Sequence, residues 1–549
     1  MAASDTKIIM FKNVKRFKSS TFLGGALSFA LLSFAFLIFY TLYTAQDTNL
    51  FSQIDSKIYG LLQFTLFQAF LSTFFSIFIG LLLAWALMHQ NKFRGRSILI
   101  ALFSSSLVLP TLIVVFGIIG IFGRQGYINQ LSLYIFDTSF GTYLYGLSGI
   151  LLAHVYLNAS FALRSLLHGF ESIPKEKYKL AKSLNFSTLQ CFYYVEYPAL
   201  KSSLLSIAST IFLLCFTSFA VVLLLGGNPS YNTLEVAIYE AVKLDFDIGL
   251  ALKLALIQLS ISAVLVVLSS SFKINVSNIK TNQQSIFWKN SKKIQTVQWC
   301  IISIFTFFFI SPLVVIFLDG LSANFVKIFT DTVFIQAFST SITLATISSI
   351  ITLIVAIFLS NTRRNFSLET RLATNPFSKI LNLIVAFSGN IYLAIPSLVL
   401  GLGFFMIYQK YDGSLVLWST IALITANVLM SLPFALAVIA PAMQKIAKRY
   451  DKLSFSLGLG SFQRYKEIEL PYLKSSLAYV FALSFCFSLG DLGIIALFGS
   501  DEFITLPWYL YQLMGSYNTN DAAGVALILL VLVLAVFILI PRIFRGKNA

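Results

Sequence analysis

Twelve stretches of this 549-residue chain are each long and apolar enough to cross a bilayer. They lie at about 21–44, 61–88, 97–123, 143–168, 202–226 and 249–272, then at 299–320, 335–360, 380–409, 415–441, 475–498 and 523–541. A spanning helix needs about twenty mostly apolar residues, because backbone polar groups in hydrocarbon must be satisfied within the segment itself. The fold class this predicts is an all-α polytopic membrane protein. A composition of 57% hydrophobic and 11% charged residues, with a mean hydropathy of +0.83, agrees and excludes an ordinary soluble domain. The first run comes after a basic segment at 1–20, but it is long for a signal-peptide core and lacks a small-residue cleavage site, so it reads as a retained span.

The net charge of +17 reports topology. Starting with the N-terminus inside, the cytoplasmic segments are 1–20, 89–96, 169–201, 273–298, 361–379, 442–474 and the C-terminal tail, and they hold 32 of the 39 lysines and arginines. That asymmetry is the positive-inside rule, and it predicts cytoplasmic N- and C-termini. Anionic lipid is the expected contact of these basic segments, not nucleic acid. The cysteines Cys191, Cys215, Cys300 and Cys486 show no paired or metal-like spacing and read as small buried hydrophobes. With three histidines and no GxxxxGK[ST], HExxH or CxxC pattern, the sequence supports no metal site, no catalytic residue and no ATP hydrolysis by this chain.

Two basic, largely polar inserts interrupt the apolar pattern and repeat each other without a gap at an offset of 273. IPKEKYKLAKSLNFSTLQCFYYVEYPALK runs from Ile173 to Lys201, and IAKRYDKLSFSLGLGSFQRYKEIELPYLK from Ile446 to Lys474. Both predict a basic amphipathic helix, a tight turn at Asn185 or Gly458, a second short helix, and a proline, Pro198 or Pro471, in the first turn of the next apolar helix. Asn and Gly are the residues that most easily take the left-handed conformation of a helix C-terminus. Further echoes extend the repeat: FQAF at 67–70 with IQAF at 335–338, Pro110 with Pro396, and 217–226 with 490–499. The chain therefore reads as a cytoplasmic segment at 1–20, a first half at 21–272 with its loop at 171–201, a polar linker at 273–298, and a second half at 299–549 with its loop at 444–474. Six spans per half return the chain to its starting side, giving a parallel repeat.

The inserts resemble the EAA loop of the membrane subunits of binding-protein-dependent ABC importers, whose pattern is EAA, three residues, Gly, then a distal Pro. The EAA positions are Lys179-Leu180-Ala181 and Lys452-Leu453-Ser454, so the glutamate of the pattern is absent from both copies. The resemblance implies coupling helices around 173–187 and 446–460 that dock on a separate ATPase, which would carry ATP and Mg; this chain would bind no cofactor itself.

Polar groups inside the spans are the candidates for a translocation path. Asp491 either lines such a path or is a packed structural acid held by hydroxyls such as Ser488 or by neighbouring backbone; its repeat mate is Ser218. Asn158, with Asn427 and Ser431 in the other half, either faces the path or bonds between helices. Pro110, Pro396 and Pro433 can break spans.

The segments VFGIIGIFGRQGYIN (115–129), TLEVAIYEAVKLDFD (233–247) and SLGDLGIIALFGSDEFITLPWYLYQLMGSY (488–517) resemble the thiamine/thiamine pyrophosphate permeases of Gram-negative bacteria. That likeness implies a multi-pass protein of the bacterial inner membrane, working with two copies of an ABC ATPase and a periplasmic thiamine-binding protein to import thiamine and its phosphate esters. The fused ferric-iron permeases share the twelve spans and two loops and stay open as an alternative. A secondary transporter of major-facilitator type would show no such repeated loop before the fifth span of each half.

Overall fold

The computed structural model describes residues 2–44, 56–90, 93–106, 108–139, 141–227, 231–270, 290–368, 376–410, 414–516 and 518–544. Among them helices dominate, and the only β feature is a bridge between Ser500 and Phe503. α1 (Ala2–Thr44) carries the basic N-terminal segment straight into the first span, and α2 (Ser56–His89) comes next. α3 (Arg96–Ser105) and α4 (Thr111–Phe122) are separated by a break ending at Pro110, and α5 (Tyr127–Phe136) precedes the long α6 (Leu147–Glu171). The first insert forms α7 (Lys175–Ser183) and α8 (Thr188–Cys191) and leads into α9 (Tyr197–Phe216). Then come α10 (Ala220–Leu225), α11 (Leu234–Lys243), α12 (Ile248–Ser270), α13 (Lys292–Leu321) and α14 (Phe325–Thr330). The remainder comprises α15 (Thr332–Leu368), α16 (Pro376–Asn390), α17 (Ser397–Lys410) and α18 (Leu415–Ser456). It closes with α19 (Ser461–Arg464), α20 (Leu470–Leu489), α21 (Gly493–Phe498), α22 (Leu506–Gly515) and α23 (Thr519–Ile543).

Ten helical stretches among the described residues are long and apolar enough to span, and two bent pairs, Thr188–Lys201 with Ser203–Phe216 and Ile380–Leu393 with Ser397–Gln409, bring the candidates to 12. Four expected spans change shape. The run at 97–123 is broken before Pro110, whose backbone (φ −51, ψ 132) is extended, and the spanning candidate starts after it at Thr111–Phe136. Its repeat mate Pro396 sits at a bend of 92°. Proline has no N–H to donate and forces the residue before it out of the helical region, so both breaks arise from the residue itself. Pro433, in contrast, lies within the unbroken α18. The run at 475–498 is interrupted at 490–492, as its mate is at 217–219. The linker expected at 273–298 lies, as far as residue 289, outside the described residues.

Along α2 the amphipathicity is inverted relative to a soluble protein. α2 buries Thr65, Gln68, Ser72, Thr73 and Ser76 and exposes Phe67, Phe70, Phe74 and Phe78. Small and polar residues let helices approach closely and bond across the contact, while aromatic rings face lipid at no cost. Gly80 meets α6 so tightly that a Cβ there would lie 2.5 Å from the Ala162 Cβ. Three of the cysteines are buried, as expected; Cys300 is exposed.

The sequence repeat and the compact units divide the chain differently. One unit comprises residues 48–330 and 510–530; the other comprises 1–47, 331–509 and 531–549. In the first, α2 packs along α6 and α9, and α13, which comes from the second sequence half, packs on α2 and α4. The Tyr156 hydroxyl on α6 donates to the Phe309 carbonyl of α13 at 2.9 Å. In the second, α15, α18 and α20 form the core around Leu359, Leu432, Leu436, Ile439, Leu473 and Val480, and α1 lies against α15, α16 and α17. There the Tyr392 hydroxyl donates to the Leu31 carbonyl of α1 at 2.6 Å. Each sequence half thus lends its first span to the unit built mainly from the other.

Candidate coupling site

Each insert folds as a helix, a sharp turn and a second helix, and the turn chemistry explains why. Asn185 (φ 51) and Gly458 (φ 61) both take the left-handed conformation, as their residue types predict. The Phe186 N–H donates back to the Ala181 carbonyl at 3.0 Å and the Asn185 N–H to the Lys182 carbonyl at 3.1 Å, closing a Schellman motif. In the second insert the Leu459 N–H reaches the Ser454 carbonyl at 3.1 Å in the same way. The second helix of the first insert is capped by Ser187 and Gln190 in a capping box, of which the other copy keeps the Gly460 N–H to Gln463 bond at 3.2 Å. The leading helices differ: Pro174 starts α7 afresh after α6, whereas α18 runs unbroken through Pro433 and Pro441 into the second insert, where Ala447 replaces that proline.

Of the expected coupling residues, Lys179, Leu180, Lys452 and Leu453 are exposed, and Ala181 and Ser454 are buried beneath them. Three bulky apolar side chains stand out from each insert at matching positions. Leu180, Leu184 and Leu189 in the first correspond to Leu453, Leu457 and Phe462 in the second, and the tips Leu189 and Phe462 are 80% and 77% exposed. The last two of each trio were missed as site residues; the signal was a hydrophobe persisting at one offset within a polar stretch.

Pro198 and Pro471 each occupy the first turn of the next helix, α9 or α20, yet no loop precedes them. A π-helical turn, Phe192–Glu196 or Tyr465–Glu469, joins the short helix to the span without interruption. The extra residue of a π turn makes room for a proline that would clash with the carbonyl four residues before it. It also rotates the short helix by about 100° relative to the span.

The last residue of each π turn is a buried glutamate, Glu196 (1% exposed) or Glu469 (3%), which the sequence pattern did not single out. Glu196 Oε1 accepts from the Tyr178 hydroxyl of α7 at 3.2 Å and lies 3.3 Å from Nε2 of His89 at the end of α2. Burial, with the Glu196 carboxylate beside it, pushes the Tyr178 phenol far above its ordinary range, so it acts as a donor. His89 Nδ1 faces the Trp85 carbonyl at 3.0 Å and must carry the proton there, since a carbonyl only accepts. Glu469 accepts from Arg364 of α15 and lies 2.8 Å from Nε of Arg464; Arg364 also pairs with Asp451 of α18.

The model of the family described as binding-protein-dependent transport system inner membrane component matches residues 76–274 and 371–545, one match for each insert. The chain belongs to that family. This permease is 38% identical to the "Thiamine transport system permease protein ThiP" of Haemophilus influenzae over 479 residues, 87% of each chain. It is 36% identical to the proteins of that name from Escherichia coli and Salmonella typhimurium, over about 90% of each chain. Family membership sets aside the major-facilitator reading.

Within the permease, the expected path residues divide between the two compact units. Asn158 donates to Cys215 Sγ at 3.4 Å and Asn427 to Ser488 Oγ at 3.0 Å, so repeat-mate positions 215 and 488 each receive an asparagine from the preceding span. Interhelical bonding is therefore the observed role of both. Ser431 is buried, and Ser218 sits half-buried in the break between α9 and α10. Asp491 lies within the candidate span Phe462–Phe498, as expected, in the equivalent break between α20 and α21; its Oδ1 accepts the Gly493 N–H at 3.1 Å, and its Oδ2 is buried without a partner.

Proposed function

We propose that this permease is the membrane-spanning subunit of an ATP-driven importer that takes thiamine and its phosphate esters from the periplasm to the cytoplasm by alternating access. Each insert docks on one of two copies of an ABC ATPase, which carries ATP and Mg, and a periplasmic thiamine-binding protein delivers the substrate. The chain sits in the bacterial inner membrane with both ends and both inserts in the cytoplasm. The observation that carries the coupling part of this reading is the matched trio of exposed apolar side chains on each insert, held on a hydrogen-bonded turn within a lysine-rich segment. Bulky hydrophobes on a charged, water-facing loop mark an interface waiting for a partner. Thiamine as substrate rests on the names of the relatives and on the length of the match.

The test is uptake by proteoliposomes containing this chain, its cognate ATPase and the binding protein, with labelled thiamine and ferric iron compared. Thiamine uptake that disappears without ATP or without the binding protein is the expected result. Iron uptake in its place would keep the architecture and change the cargo, and transport by this chain alone on an ion gradient would overturn the reading.

A further inference from the structure

The geometry points to Glu196 and Glu469 as positioning residues that lock each coupling helix to the second span of its own half, α2 or α15, so that movement of the docked helix is passed on to the membrane. The inference rests on the coupling reading above. Its basis is that two chemically different clusters have one connectivity. In the first, Glu196 joins Tyr178 on the coupling helix to His89 at the end of α2. In the second, position 451, the repeat mate of Tyr178, is again bound into the cluster: Asp451 pairs with Arg364 near the end of α15, and Arg364 pairs with Glu469. Only the glutamate is common to both, and in both it is the last residue of the π turn, two before the proline.

A buried carboxylate is costly unless paired, so side chains that serve packing alone would be as well served by apolar residues. The two clusters differ in their tolerance. Glu469 faces two guanidiniums, Arg364 and Arg464, so Glu469→Gln withdraws a negative charge from both. Glu196→Gln alters the carboxylate that faces one phenol, Tyr178, and one imidazole, His89. Glu469→Gln should therefore be the more damaging change.

The experiment uses the complete complex in proteoliposomes and reads labelled thiamine transported per ATP hydrolysed, alongside ATPase co-purification and thermal unfolding in detergent. Glu469→Gln is compared with the double variant Arg364→Met/Glu469→Gln, which removes one charge of each sign and so keeps the net charge of the parent cluster. Thiamine moved per ATP should fall about five-fold or more in both, with co-purification and unfolding of the double variant close to those of the parent. A double variant that regains the parental ratio would reduce the cluster to charge balance and overturn the proposal, as would an unchanged ratio in both. Failure of the parent chain to retain the ATPase would instead remove the coupling reading, and this inference with it.

Discussion

At the scale of single residues, the two turns show how closely conformation tracks residue type. Gly458 and Asn185 sit at the same left-handed position with φ values 10° apart, one with no Cβ and one with the side chain that best tolerates the strain. Gly458→Val should destabilise the second insert by about 1–2 kcal/mol, because a β-branched residue is poorly accommodated at positive φ. Asn185→Gly should change stability by only a few tenths of a kcal/mol. Thermal unfolding of the purified variants separates the two, and equal effects would contradict the turn geometry. The turn was legible in the sequence because its cause is local. The glutamate clusters were not, because Arg364 and Glu469 stand 105 residues apart, and where the second cluster has Arg364 and Asp451 the first has a histidine and a tyrosine. What could be read was the repeated Glu-x-Pro, at 196–198 and 469–471.

At the scale of elements, periodicity and length found all twelve candidate spans but not their internal breaks. A hydropathy run cannot distinguish a straight helix from α20 and α21 meeting at Asp491, since the break adds only a glycine and a carboxylate to an apolar stretch. The prolines were better guides: Pro110 and Pro396 mark real breaks, whereas Pro433 is absorbed by the 42-residue α18. The exposed faces of the inserts carry their own prediction. Leu189→Ser with Phe462→Ser removes two side chains that contribute almost nothing to the fold, so unfolding should be unaffected. Each loses about 1.5–3 kcal/mol of apolar burial on docking, so co-purification of the ATPase should fall by about tenfold or more. Unchanged co-purification would place the docking face elsewhere.

At the scale of the whole molecule, the repeat was fully legible and the exchange of first spans was not, because nothing in an internal alignment says which copy a helix packs against. The exchange predicts how the chain divides. Split within 273–289 and co-expressed, the two fragments should purify together, since α1 of one belongs with α15–α17 of the other and α13 of the second with α2 and α4 of the first. Removing residues 1–44 from the first fragment should lower the thermal stability of the unit built on α15, α18 and α20. An undiminished melting transition would show that α1 is dispensable there.

The same exchange sets a timetable for biosynthesis. α1 is made well before its partners, which begin at residue 331, so at about 5–20 residues per second it waits in the bilayer for roughly 15–60 s. It is suited to that solitude. Ser28 donates to the Gly24 carbonyl at 2.7 Å, Thr41 to Ile38 at 2.9 Å and Thr44 to Tyr40 at 2.9 Å, so these hydroxyls are satisfied by the helix's own backbone before any neighbour arrives. Phe22, Phe29, Phe36 and Tyr40 remain turned outward even after assembly, leaving the helix a lipid-compatible surface throughout.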